Sequence, residues 1–410
     1  MVVDLKQFRS LNRDVKLHLL SRFFTGFGYA GIYMVLFNLY LLRLGYGPSF
    51  VGLTNGVGRL GGALFSIVGG ALGTRFGSRR VAIIGITVAS LCLMLVVGGE
   101  WFSGTTRQVW IVVAFSCVWM GGSTYLVNQT PLITRLTTQE QRSHAFSALR
   151  ATAIFGAFSG NLVGGFLPRV VVLIAGVPVD SPSAYRFPLL LGGLVVAGAG
   201  VMVLQTREVA ARGGQPSTDE KDPTPVGPII MIAVVALLLN SSMAAYGTFF
   251  TIYLDSVLRV ATPLIGLLLG LTQLLSVSTL ITPVLVRRWG KGKTVSRVGI
   301  GISVSVVPLA LFSHWLAAGG SLLVQSVMTN IRIPAYQQLT QEHLKTRWRA
   351  LVSGAVQTAS GLSVFAVSLV GGFIVVALGY PAMFVMASVA SGIGGLMVRL
   401  FLAEPPADRS

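Results

Sequence analysis

The sequence predicts an all-α integral membrane protein with twelve spanning helices in two pseudo-symmetric six-helix bundles. Composition is the first observation behind this: 53% of residues are hydrophobic, 11% are charged and the mean hydropathy is +0.75, against about 25% charged in a soluble domain. Run length is the second, since nearly all 410 residues fall in apolar stretches that reach the roughly 20 residues a membrane helix needs. A repeat is the third. Asn38 to Leu53 reads NLYLLRLGYGPSFVGL and Thr251 to Leu267 reads TIYLDSVLRVATPLIGL. Each copy ends an apolar run, turns at a Pro (Pro48, Pro263) and opens another run. An internal repeat of this kind indicates duplicated halves, a common plan among secondary transporters.

The spans are expected at 18–42, 49–73, 80–98, 108–134, 146–175 and 184–205 in the first half, and at 227–254, 263–286, 296–313, 317–337, 350–378 and 379–402 in the second. Spanning strands are excluded because they need only about 10 residues and alternate in polarity, which these runs do not. The first seventeen residues are polar and no cleavable signal peptide is visible, so the first run is read as a permanent anchor. Cys92 and Cys117 fall in the third and fourth helices and suggest neither a disulfide framework nor a metal site. After the sixth helix the chain turns hydrophilic, with Gly-Gly, Pro, Ser and the run Asp219-Glu220-Lys221-Asp222. That is linker chemistry, and it sets the domains at 1–205, 206–226 (a cytoplasmic linker) and 227–410.

The net charge of +18 reports topology. Most Lys and Arg fall on segments that are cytoplasmic if the N-terminus is inside, while the external loops hold only Arg43, Arg107, Arg169, Arg186 and Arg259. This is the positive-inside pattern. It places both termini in the cytoplasm, leaves no case for nucleic-acid binding, and makes membrane lipids the partner of clusters such as Arg287, Arg288, Lys291 and Lys293. The expected location is the plasma (inner) membrane.

Between helices 2 and 3 the chain reads Gly70-Ala71-Leu72-Gly73-Thr74-Arg75-Phe76-Gly77-Ser78-Arg79-Arg80, and between helices 8 and 9 it reads Val286-Arg287-Arg288-Trp289-Gly290-Lys291-Gly292-Lys293. Gly77 and Gly290 suit a two- or three-residue turn between antiparallel helices. The first stretch resembles the signature loop of the major facilitator superfamily, which carries Asp where Thr74 stands here. A second resemblance lies in helix 5, where Gly156, Gly160, Asn161, Gly164 and Gly165 follow the antiporter motif of facilitator-type drug exporters, with Asn161 in place of Pro. Glycines four apart also make a flat stripe for close packing, so packing and export are both open readings. Glu140 to Ala145, including Arg142, and Glu342 to Ala350 join helices 4–5 and 10–11 in the same facilitator pattern. The resemblance implies a gating role for Gly70, Thr74, Arg75, Gly77, Arg79, Arg80, Arg142, Gly160, Asn161, Gly164 and Gly290, and alternating access as the mechanism. Gly26-Phe27-Gly28-Tyr29-Ala30-Gly31 spells a dinucleotide fingerprint and Gly292-Lys293-Thr294 the end of a phosphate loop. The first lacks a preceding strand and the second lacks the upstream Gly, so neither binds nucleotide.

Polar residues deep in apolar helices are costly and mark pathways. Arg59, about 15 Å from the external end of helix 2, is the leading candidate, either lining the pathway or clamping backbone carbonyls. Its repeat partner is Gln273. Tyr33 and Tyr246 occupy equivalent places in helices 1 and 7, and Asn55, Asn128 and Asn240 complete the candidate cavity set. Arg22, Arg150 and Arg332 read as topology anchors or gate residues. No Asp or Glu falls at mid-depth, so proton coupling is not supported. A buried Arg without carboxylates favours a small anionic or amphiphilic organic solute. The expected protein is a secondary active or facilitative permease and not an enzyme, acting as a monomer without cofactors. Import, export and exchange stay open, as does a transporter-like receptor or a lipid-handling, scramblase-like protein.

Overall fold

The computed structural model describes residues 12–207, 225–343 and 348–402. The linker core 208–224, the termini and residues 344–347 of the helix 10–11 connection lie outside them. Twelve long helices are present among the described residues: α1 Arg13–Arg43, α2 Pro48–Phe76, α3 Ser78–Trp101, α4 Gly104–Leu136, α5 Gln139–Ala175, α6 Pro182–Leu204, α7 Val226–Val257, α8 Thr262–Trp289, α9 Lys291–Leu311, α10 Trp315–His343, and two within Arg349–Phe401. Those two, α11 (349–378) and α12 (380–401), are separated at Gly379, whose φ is 85°. All twelve expected runs are therefore helices, although α1, α5 and α9 begin five to seven residues earlier than hydropathy indicates. Their first turns are polar. In α1 that polarity is used: Asp14 accepts the Arg207 backbone N–H at 3.1 Å, and His18 is fully buried. In α5 the Thr138 hydroxyl caps the helix by accepting from the Gln141 N–H.

The loops after α2 and α8 are tighter than expected. Each is a single glycine, Gly77 (φ 92°) or Gly290 (φ 80°), between one helix and the next. Only Gly adopts such a φ without steric cost. The repeated external turn is less well served in its second copy. Gly45 (φ 87°) follows α1, but Arg259 (φ 53°) takes the left-handed position after α7. A side chain there costs about 1–2 kcal/mol, so Arg259→Gly is expected to stabilise the protein by about 1 kcal/mol net of the added chain entropy. A thermal unfolding midpoint that falls instead would contradict it.

The chain forms two compact units. One contains Met1–Gly45, Val57–Thr218 and Thr262–Gln273; the other contains Tyr46–Gly56, Asp219–Ala261 and Leu274–Ser410. In the first, glycines bring helices into backbone contact. A Cβ on Gly31 would lie 2.5 Å from Gly160 Cα, and one on Gly156 or Gly160 would strike the carbonyl oxygens of Phe23 or Phe27. Gly28 faces the Gly192 carbonyl, and Gly85 faces the Gly121 carbonyl. In the second unit, Ile232, Val235, Leu239, Tyr336, Val352 and Val398 build a buried core. There α8 narrows to a 3-10 stretch, Leu275–Ile281. Its neighbourhood is tied to α10 by hydroxyls: Ser278, Thr279 and Thr282 donate to the carbonyls of Val327, Asn330 and Ile331. Outward faces carry exposed apolar side chains such as Ile67, Leu91, Leu173 and Val376, as expected of surfaces whose solvent is hydrocarbon.

Candidate functional site

The candidate site grows out of an irregular stretch of α1. Gly26–Tyr33 is π-helical, a winding that often marks functional positions because it re-aims side chains. It presents Tyr29 and Tyr33 as a stacked pair with ring centroids 6.3 Å apart. Tyr33 continues into Phe37 (5.4 Å) and Phe115 of α4 (6.4 Å), while Tyr29 meets the edge of Trp119 at 5.6 Å. The Arg59 guanidinium of α2 lies 3.8 Å from the Trp119 ring centroid. Glycine makes this possible: a Cβ on Gly58 would sit 2.9 Å from Trp119 Cδ1, and one on Gly62 would sit 3.2 Å from its Cβ. A cation on an indole face contributes about 0.5–2 kcal/mol, the more as water is excluded.

The polar atoms of this cluster are unspent. Tyr29 Oη, Tyr33 Oη and Trp119 Nε1 are buried without a hydrogen-bond partner, and no acceptor is bonded to Arg59 among the described residues. Each unmade bond of this kind costs about 1–3 kcal/mol. Every one of these groups has a proton to give, the indole N–H and the guanidinium donate only, and Arg59 supplies positive charge. The arrangement is chemically suited to an acceptor-rich, negatively charged group.

The second unit treats the repeat partner of Tyr33 differently. Tyr246 Oη is 2.5 Å from Ser321 Oγ, which donates to the Ser305 carbonyl at 2.6 Å. Tyr246→Phe is therefore expected to cost about 1 kcal/mol, while Tyr33→Phe removes an orphaned hydroxyl and is expected to be neutral or stabilising by about 1 kcal/mol. Thermal unfolding of the two variants checks this; equal losses would contradict the asymmetry.

Several other sequence candidates have hydrogen-bond partners. Asn128, 2% exposed, donates to the Gly69 carbonyl at 2.8 Å and to its own helix at Thr124. One amide hydrogen bond ties α4 to α2 and the other closes on its own helix. Asn55 donates to Val51 O, and Asn161 to Ala157 O. Asn240 donates to Ala236 O and Ser360 Oγ and accepts from Arg332. Gln273 is half-buried. In the loop motif, exposed Thr74 bonds the Ala71 carbonyl of its own turn, Arg75 lies over Phe76, and Arg79 donates to the Leu204 carbonyl at 2.7 Å. Gly70 opens toward Val127, Gly164 packs on Ile32, and Arg80 and Arg142 are exposed. Sequence reading missed Tyr29 and Trp119. The available signals were the tyrosine one turn before Tyr33 and the one tryptophan at mid-depth in helix 4.

Twelve long apolar helices, with a donor-rich aromatic cluster in the first unit, fit the class of polytopic solute carriers. The chain belongs to the Major Facilitator Superfamily, whose family model matches residues 19–368. Among curated proteins it is similar to the multidrug resistance protein MdtH of Yersinia enterocolitica, at 27% identity over 194 residues, covering 44% of this chain and 46% of that protein. It is also similar to MdtH of Yersinia pestis, at 29% over 141 residues, covering 33% of each. The matches thus span less than half the length of these relatives. Among solved structures it resembles the nucleoside transporter NupG (TM-score 0.76, 12% identity, 96% of this chain and 100% of that chain). It also resembles the inward-open xylose transporter XylE from E. coli (TM-score 0.73, 12% identity, 96% and 97%). At these identities the structural likeness establishes the fold.

Proposed function

We propose that this chain is a permease that moves a small organic anion or anionic amphiphile across the inner membrane by alternating access, with Arg59, Tyr29, Tyr33 and Trp119 as its binding group. The observation that carries this reading is the Arg59 guanidinium stacked on Trp119 beside three buried groups with unmade hydrogen bonds. A carboxylate or phosphate would accept from several of them at once, and charge-assisted bonds of this kind are about twice as strong as neutral ones. The functional halves are 1–205 and 227–410, joined by 206–226, with both termini cytoplasmic and one chain as the working unit. Transport involves no covalent chemistry. The likeness to proteins named for multidrug resistance supports outward movement. The ligand must bind one access state better than the other, because equal affinity shifts no equilibrium.

Retention of a fluorescent amphiphilic anion in cells with and without the expressed chain tests the reading. Expressing cells are expected to retain less anion than controls, and cells with Arg59→Gln as much as controls. Unchanged retention of anionic, cationic and neutral dyes alike would refute it.

A further inference from the structure

A second guanidinium, this one almost wholly buried, makes no ion pair with a carboxylate among the described residues. Arg332 of α10 is 1% exposed. Its Nη2 donates to Asn240 Oδ1 at 3.1 Å, and its Nε is buried without a partner. Its bonding partner is neutral and already committed. Asn240 spends its amide N–H groups on Ala236 O (2.8 Å) and Ser360 Oγ (3.0 Å), and Ser360 donates to Val356 O. Tyr336, one turn further along α10, donates to Ile232 O at 2.6 Å. One turn along α11 from Ser360, the Ser363 hydroxyl is also buried and unbonded.

The six carboxylates among the described residues are placed elsewhere. Glu100 bonds Arg186, Asp180 bonds Arg43, and Glu342 bonds Lys291. Asp14 accepts from Arg207, Glu140 is exposed in the first turn of α5, and Asp255 lies at the end of α7. A guanidinium cannot discharge by losing its proton, and an unpaired buried charge is among the costliest features a fold can carry. One side-chain oxygen for five N–H donors does not offset that.

We propose that Arg332 holds a small monovalent inorganic anion, of halide size, as a resident counter-ion in the second unit. Near-complete burial excludes a solute-sized ligand, while a halide needs only the unspent face of the guanidinium. This site is independent of Arg59 and of what the permease carries.

The test is the unfolding temperature of the full-length protein in detergent, in sodium chloride against sodium gluconate at equal ionic strength. Chloride and bromide are expected to raise it by about 2–4 °C, saturating with concentration, and acetate is expected not to replace them. Arg332→Met should lose the halide response and unfold in gluconate no earlier than the wild type, whereas Arg59→Gln should keep the response. A wild type indifferent to halide, or Arg332→Met with an undiminished response, overturns the proposal. Should Arg332→Met fail to fold, Arg332→Lys decides: a weaker half-saturation by chloride supports the site, and an unaltered one overturns it. Stabilisation through Arg332 by acetate but not chloride would also overturn the halide assignment.

Discussion

Replacing Arg59 by Gln is expected to abolish stabilisation of the purified protein by anionic amphiphiles and to weaken their binding by about 10- to 100-fold, the value of a charge-assisted hydrogen bond or two. The variant should still fold. Arg59 has no ion pair to lose among the described residues, and its stacking partner Trp119 is held independently by Tyr29 and Phe115. Arg59→Lys should fall between the two, since Lys keeps the charge but loses the planar fork and much of the stacking. A thermal-shift series over matched anionic, zwitterionic and cationic compounds checks this. Equal shifts for the wild type and Arg59→Gln across all three classes would make Arg59 a structural residue.

The largest stability effect is expected at Gly160. A Cβ there would run into the carbonyl oxygen of Phe27, a backbone atom of the π-helical stretch, and backbone cannot step aside as a flexible side chain does. Gly160→Val is expected to cost about 3 kcal/mol or more and to lower the yield of folded protein. Gly122→Ala and Gly198→Ala, with nothing within 4 Å of the added carbon, should be neutral or slightly stabilising. Expression level and unfolding temperature in detergent decide it. Indifference at Gly160 would mean that α1 and α5 are not in backbone contact.

The glycine stripe shows where sequence reading succeeds and where it stops. The spacing of Gly156, Gly160 and Gly164 announces a close helix contact, and the structure supplies the partner, Phe23 to Ile32 of α1. That contact accounts for the stripe without any reference to export. The Gly-rich spelling around Gly26 is the other side of the same seam. Turns were legible for a similar reason: Gly77 and Gly290 stand where no other residue fits comfortably, although the loops prove to be one residue long.

The site was half legible. Arg59 declares itself as a charge in an apolar run, and Tyr33 and Tyr246 through the repeat. Whether a polar group is spent is a tertiary property, however. Asn128 looks as available as Arg59 in the sequence, yet its amide closes on Gly69, while Tyr29 and Trp119 pass as ordinary membrane aromatics and prove to be unbonded. The early starts of α1 and α5 escaped for a related reason. Polar turns that are capped, or bonded to a distant segment as Asp14 is to Arg207, have no hydropathy signal.

Solute counterflow in proteoliposomes loaded with organic anions, run with the wild type and Arg59→Gln, addresses the central claim most directly. Rapid exchange of anions by the wild type, slow exchange of matched cations and loss of anion exchange in the variant are the expected results. Exchange of cations as fast as anions, with the variant unimpaired, would contradict the account and leave Arg59 outside the transport path.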